Sequence, residues 1–277
     1  METITIIGTG LIGGSLGLAL KSRGFDGEIV GVGWRECTLI EAKRLGAVDR
    51  FTLDIREGVA GADIVVICTP VGIVVEHAAS AIPAMKHGAI LTDVASTKSN
   101  ITRKIEPLLA GGVSFVPAHP MAGSERRGVT SARADIFENS TCIITPTQRT
   151  PAEAVQTIAE LWMRVGARVA TLSPEAHDKA VAQVSHLPHL AAPAILRAID
   201  EQNLKLAGPG LRDTTRVAGS DAALWLDIYM ENRANVLNAI RAFTKEIDAI
   251  ADALERSDWP RLKELLEQAR AKREKLD

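Results

Sequence analysis

His119 lies in the run V-P-A-H-P-M-A-G-S-E, residues 116–125, just past a short apolar stretch, Val113 to Val116, that reads as a strand. A neutral imidazole at the end of a strand is a proton acceptor held in a fixed place. The chain opens with a second chemical signature, I-T-I-I-G-T-G-L-I-G-G-S, in which Gly8-Thr9-Gly10-Leu11-Ile12-Gly13 follows a β-branched run, Thr3 to Ile7. Gly8 permits a tight turn, Gly10 lets the backbone approach a pyrophosphate, and Gly13 allows a helix to pack closely on the strand. The phosphates would then rest on the free N–H groups of the helix read from Ser15 to Lys21. A dinucleotide that accepts a hydride, together with a base that removes a proton, is the equipment of an alcohol-oxidising enzyme.

The residue that reads the cofactor ribose should close the second strand, Glu28 to Val32, about 20 residues beyond the fingerprint. That position falls at Gly33, which has no carboxylate. Arg35 follows and could meet a 2′-phosphate, which favours NADP over NAD. Arg35 is equally readable as a solvated surface charge, and a small shift of register would bring the acid Glu36 to the ribose.

Holding these groups together requires an α/β sheet. Further strands are expected at Asp63 to Cys68, Ala89 to Thr92, Thr141 to Ile144 and Ala167 to Leu172, with helices over Ile73 to Met85 and Lys98 to Leu109. In an open α/β sheet, ligands sit beyond the carboxyl ends of the strands. The residues expected there are Thr69-Pro70, the run from Asp93 through Ser96 to Lys98, and His119. Asp93 is also readable as a cap for the next helix and Ser96 as its N-cap.

From Ser173-Pro174-Glu175, a good helix start, the pattern is helical to the end. Long stretches, Leu224 to Ala253 and Trp259 to Lys275, carry apolar residues at three- and four-residue spacing, the last with a charged, solvated face. The fold class is therefore α/β: an N-terminal Rossmann-type doubly wound sheet, residues 1–172, followed by an all-helical domain, residues 173–277. Within the helices, His186 and His189 share one face with Asp178 two turns earlier, and Pro188 predicts a kink beside them. His177 is near, but no Cys or Glu lies at ligand spacing, so no metal is expected. Arg212 and Arg216, four apart, suit one or two carboxylates, or else pair at the surface with Asp213 or Asp221. Trp225 reads as core or as a lid over a substrate.

Composition bounds the partners. A chain of 277 residues with 46% hydrophobic and 24% charged residues is ordinary for a globular protein. The net charge of -2, without a basic stripe, recommends neither nucleic acid nor an anionic membrane. No apolar run approaches the roughly 18 residues of a spanning helix. Cys37, Cys68 and Cys142 are scattered, as free thiols of a cytoplasmic protein would be.

In order and approximate spacing, G-T-G-L-I-G-G-S, T-D-V-A-S-T-K, H-P-M-A-G-S-E, S-H-L-P-H and D-T-T-R-V-A resemble the motifs of the prephenate/arogenate dehydrogenase family of tyrosine biosynthesis, across essentially the whole chain. The resemblance implies a helical domain that also forms a homodimer, and the oxidative decarboxylation of a cyclohexadienol by NAD(P). By residue matching, His119 would accept the hydroxyl proton and Ser96 would orient the hydroxyl and His119. Arg216 would hold a substrate carboxylate, and His189 would approach the polar side chain of the substrate. Ser124, Glu125, Asp178, Arg212 and Trp225 fall on positions lining the family's pocket. Members using NAD generally carry an acid where this chain has Gly33, which again favours NADP. Prephenate is favoured slightly over arogenate as substrate. No fused chorismate mutase and no appended regulatory domain is expected. The rivals are another NADP enzyme of similar layout, such as a 3-hydroxyacid dehydrogenase or pyrroline-carboxylate reductase, and a nucleotide-binding sensor without catalysis. The former generally relies on a lysine of the helical half, where this chain offers His186, His189, Arg212 and Arg216.

Overall fold

A computed structural model describes residues 2–124 and 126–276. Eight strands form one sheet in the order β3-β2-β1-β4-β5-β6-β7-β8. They are β1 (Thr3–Ile7), β2 (Glu28–Val32), β3 (Arg50–Thr52), β4 (Ile64–Ile67), β5 (Ile90–Asp93), β6 (Ser114–Pro120), β7 (Thr141–Ile144) and β8 (Arg168–Thr171). Between them run α1 (Leu11–Ser22), α2 (Glu36–Arg44), α3 (Ile55–Val59), α4 (Val74–Ala81), α5 (Ser99–Ile105) and α6 (Ala152–Arg164). The strands expected from the sequence all form; β3 was not anticipated. It is a three-residue edge strand with no apolar run, held to β2 by the Arg50–Glu28 ion pair at 2.9 Å.

The sheet is parallel except where β6 meets β7. Among the described residues of 121–140 there is no crossover α-helix, and a return without one reverses the strand direction. β4 shows how the sheet is buried: Ile64 and Val66 enter one apolar cluster with Leu16, Phe137 and Trp162, while Val65 and Ile67 enter another with Val74, Leu91 and Phe115. Alternate residues face opposite layers, so all four must be apolar.

His119 belongs to β6, opposite Ile143 of β7, instead of lying past a strand that stops at Val116. This extension pairs its backbone with β7, beyond the end of the pairing with β5 at Pro117. The helical half continues with α7 (Pro174–Val181), α8 (Leu187–Arg197), α9 (Pro209–Thr215), α10 (Ala222–Glu231), α11 (Arg233–Glu255) and α12 (Trp259–Arg273). Ser173 caps α7 by accepting from Ala176 N at 3.1 Å, with Pro174 in the first turn, as the sequence predicts. The kink expected at Pro188 takes another form: residues 182–186 make a wide π turn that joins α7 to α8. Proline has no N–H for the normal ladder, and the wider turn accommodates its absence.

The expected helix from Leu224 to Ala253 is interrupted at Asn232, whose φ of -115° and ψ of 27° end α10. Packing divides the chain there, into residues 1–232 and 233–277. Element type changes earlier, after β8; α10 nonetheless belongs to the first body, because Ile228 is buried in the second apolar cluster. In the second body, α12 carries the helical ion pairs Arg261–Glu264, Lys263–Glu267 and Arg270–Glu274. Among the described residues no helix is long and apolar enough to cross a membrane.

The close approach of α1 to the sheet depends on Gly13. A Cβ there would lie 2.1 Å from the Gly8 carbonyl oxygen and 2.8 Å from Ile6. Gly13→Ala should therefore lower the unfolding free energy by about 1–3 kcal/mol. The readout is a lower urea midpoint at unchanged m-value; an unmoved midpoint would show that the helix can back away freely.

Candidate active site

The nucleotide end of the site is the turn between β1 and α1. Gly8 has φ +95°, a left-handed conformation that favours glycine, and its N–H bonds Val32 O at 2.8 Å. α1 begins at Leu11, four residues before the expected start, so Leu11 and Ile12 supply first-turn N–H groups. Gly10 is its N-cap, nothing lies within 4 Å of where a Gly10 Cβ would be, and the first turn contains no acid. An open, uncluttered helix N-terminus of this kind fits a pyrophosphate. Thr9 is buried beneath the turn, and Thr69, two residues beyond β4, has its hydroxyl 3.1 Å from His77 Nδ1, followed by exposed Pro70. At the ribose end, a side chain at Gly33 would meet only ordinary contacts with Leu39, so packing does not demand glycine there. Arg35 is exposed beside Trp34, 5.6 Å from its ring, and Glu36 is the exposed first residue of α2.

At the carboxyl end of β6, the His119 ring bonds to a residue the sequence left unassigned. His119 Nδ1 lies 2.8 Å from His177 Nε2, and His177 Nδ1 lies 2.9 Å from Asp178 Oδ1. The same carboxylate accepts Lys98 N at 2.7 Å and Ser99 N at 2.9 Å. It thus caps α5 from a distance, so the alternative reading of Ser96 as the N-cap does not hold. Burial works to raise the Asp178 pKa, but the hydrogen bonds from His177, Ser99 and Lys98 outweigh it, so the carboxyl stays ionised.

These bonds fix the tautomers. An ionised carboxylate can only accept, so His177 donates from Nδ1 and its Nε2 must accept. His119 therefore donates from Nδ1, which leaves the lone pair on its Nε2. Burial first, then the neighbouring His177, Lys98 and His186, push the His119 pKa well below its ordinary 6.5. His119 is a neutral base at neutral pH, and His177 is held below its ordinary value by burial. His177 was visible in the sequence only as a weak metal ligand; the signal was its place directly before Asp178, ahead of two further histidines.

Asp178 itself departs from expectation. It is 2% exposed, and both carboxylate oxygens are engaged, so it orients His177 and does not line a pocket. Asp93 departs likewise. It is fully buried, pairs with Lys98 Nζ and accepts Ala95 N at 3.0 Å, so it neither faces a nucleotide nor caps α5. Ser96 is half-buried, three residues past the end of β5, the strand next to His119's own.

The rest of the network runs through the helical half. Asn232 donates to Asp178 O at 2.7 Å and lies 3.3 Å from His186 Nδ1. His186 is buried, its pKa lowered to about 4 by burial, and its Nε2 has no protein partner. Trp225 stacks on His189 at 3.7 Å and 22°, with His186 edge-on at 6.0 Å, so it is part core and part wall. His189 Nδ1 bonds Ser185 O at 3.0 Å, and the Arg216 charge is close enough to depress its pKa further after burial. Arg212 lies in the last turn of α9 and Arg216 at its C-cap, both exposed. Ser124, exposed beyond β6, accepts Arg126 N at 3.2 Å. Glu125 lies outside the described residues. No cluster of three or more ligand-type side chains suited to a metal occurs among the described residues.

Comparison with known proteins agrees with this layout. Residues 16–171 match the family described as prephenate dehydrogenase, nucleotide-binding domain, and residues 173–268 match its dimerization domain. Prephenate dehydrogenase of Bacillus subtilis is 34% identical over 93% of this chain and 71% of its own length. Cyclohexadienyl dehydrogenase of Zymomonas mobilis is 34% identical over 92% of this chain and 89% of its own. The crystal structure of prephenate dehydrogenase from A. aeolicus with hydroxyphenyl propionate and NAD+ superposes with a TM-score of 0.94 at 32% identity, covering 100% of this chain and 99% of that one. With both halves matched and the fold reproduced end to end, the chain belongs to the prephenate dehydrogenase family of oxidoreductases.

Proposed function

We propose that the chain converts prephenate to 4-hydroxyphenylpyruvate and CO2, with His119 as proton acceptor and NADP preferred to NAD. The observation that carries this reading is the chain Asp178–His177–His119, which leaves a lone pair on His119 Nε2 at the sheet edge that also bears the phosphate turn. The A. aeolicus relative, with a phenolic acid and NAD+ bound together, supports the pairing of substrate and cofactor. The name of the B. subtilis relative supports prephenate ahead of arogenate.

Oxidation at the hydroxyl-bearing ring carbon requires the hydroxyl to give up its proton, and departure of the ring carboxylate as CO2 then leaves an aromatic ring. When bound, the nicotinamide nucleotide supplies the two-electron acceptor. Residues 8–13 hold its phosphates, and Arg35 beside the open Gly33 takes the 2′-phosphate. His119 Nε2 takes the hydroxyl proton, with Ser96 orienting that hydroxyl. The imidazolium so formed is one hydrogen bond from His177 and two from the Asp178 carboxylate, a fixed negative charge in a buried setting. Arg216, aided by Arg212, holds a substrate carboxylate by charge-assisted hydrogen bonds. His189, kept flat by Trp225, meets the polar side chain of the substrate, and Ser124 closes the wall. Residues 1–172 serve the nucleotide and residues 173–277 the substrate and the dimer. The dimerization-domain match and the exposed Phe243, Ile247, Leu254 and Leu266 support a homodimer. The unpaired cysteines suit a cytoplasmic site of action.

A steady-state assay crossing prephenate and arogenate with NAD and NADP tests the function; no cofactor reduction in any combination would refute it. His119→Asn should lower kcat by about 10²–10⁴-fold with KM little changed, and undiminished turnover would remove His119 from the base role. Because only neutral His119 can accept a proton, and burial lowers its pKa, wild-type kcat/KM should stay flat as pH falls through 6.5 and decline only below it. A decline centred above 6.5 would contradict that assignment. Arg35→Ala should raise KM for NADP far more than for NAD; equal changes would sink the 2′-phosphate contact.

A further inference from the structure

Among the described residues, Lys98 is the one charged side chain in the set of largest completely buried ones, and nothing in the chemistry above uses it. Its ammonium pairs with Asp93 and donates to Ala118 O at 2.7 Å, one residue before His119. Its amide donates to Asp178 Oδ1, the carboxylate that orients His177. One residue thus grips both the strand that carries His119 and the carboxylate behind its partner. Burying an ammonium is costly, and an apolar residue paired with a neutral one at position 93 would fill the same space without that cost.

We infer that Lys98 is a positioning residue that anchors the carboxyl end of β6 and holds a positive charge against the residue before His119, where it opposes an imidazolium. The inference rests on His119 being the proton acceptor. The charged and titratable groups around His119 are Asp93 on β5, Lys98 after it, Cys142 on β7, His177 and Asp178 on α7, and His186 in the π turn. Two of them are carboxylates that favour an imidazolium. Burial draws the Lys98 pKa down while the paired Asp93 favours its ammonium, and that ammonium opposes an imidazolium at His119. Without it, His119 would take up a proton at a higher pH, although burial and His177 would still oppose one.

Three variants separate charge from packing: Lys98→Met, Lys98→Arg and the neutral pair Lys98→Met with Asp93→Asn. The readouts are the acid limb of kcat/KM against pH and the NMR titration of the His119 ring in the nucleotide-free protein, assigned by its loss in His119→Asn. Lys98→Met should raise both midpoints by about one pH unit, with activity recovering as pH rises. The double variant should move them less and in the same direction, and it keeps the test open if Lys98→Met alone does not fold. Lys98→Arg, which retains the charge, should leave them in place even if kcat falls. A loss of activity equal at every pH, with an unmoved His119 titration in a folded Lys98→Met or double variant, would overturn the inference and reduce Lys98 to scaffolding. An acid limb that survives in His119→Asn would instead refute the proton-acceptor reading itself.

Discussion

The site depends on how one buried carboxylate is satisfied. Asp178 has almost no contact with solvent, and an ionised carboxylate left unpaired in such a place would cost several kcal/mol. Its acceptor capacity is met by Lys98 N, Ser99 N and His177 Nδ1. Two of these donors begin the helix that follows β5, and the third lies on α7. Satisfying Asp178 therefore ties the carboxyl edge of the sheet to the first helix of the helical half. The same requirement dictates which nitrogen of each imidazole carries its proton, so a packing constraint becomes a chemical one. Asn232 closes the arrangement from the end of α10, where the polypeptide leaves its helical course to reach the Asp178 carbonyl.

The nucleotide end works under the opposite economy. At Gly13 there is no space for even a methyl group, whereas at Gly10 and Gly33 there is space that no protein atom fills. Tight packing fixes the direction of α1, and the vacancies lie where a phosphate and a ribose would come. Rigidity and openness alternate within a few residues of one another, and a sheet buried on both faces supplies the rigid part.

Much of this was legible before any coordinates. The glycine turn, the buried strands and the Ser173 helix start rest on local rules, in which each residue acts through its immediate neighbours. His119, His189, Trp225 and Arg216 were picked out by type and motif; hydrogen bonds and ring contacts run from His119 through His177, Asp178, Asn232, His186 and Trp225 to His189, and the Arg216 charge acts on His189. What the sequence concealed was long-range pairing. Asp178 reads as one more polar residue on a helix until α5 is found 80 residues away with its first N–H groups turned toward it. Asp93 and Lys98 look like loop residues near a ligand, yet they neutralise each other out of reach of solvent. Asn232 sits in the middle of a smooth apolar pattern, and periodicity cannot reveal a break that a tertiary hydrogen bond imposes. β3 escaped because an edge strand of three residues needs no apolar face.

The π turn at residues 182–186 has a geometric effect of its own. One extra residue in a helical turn rotates everything downstream by about 100° relative to an unbroken α-helix. α7 and α8 are therefore a single rod with two phases. Upstream of the turn, His177 and Asp178 point toward β6 and α5; downstream, His189 is re-aimed at Trp225. An uninterrupted helix of the same composition would carry one set of these side chains in register and turn the other away. The extra residue works as a phase shifter, letting one continuous element face β6 and α5 with its first part and Trp225 with its second.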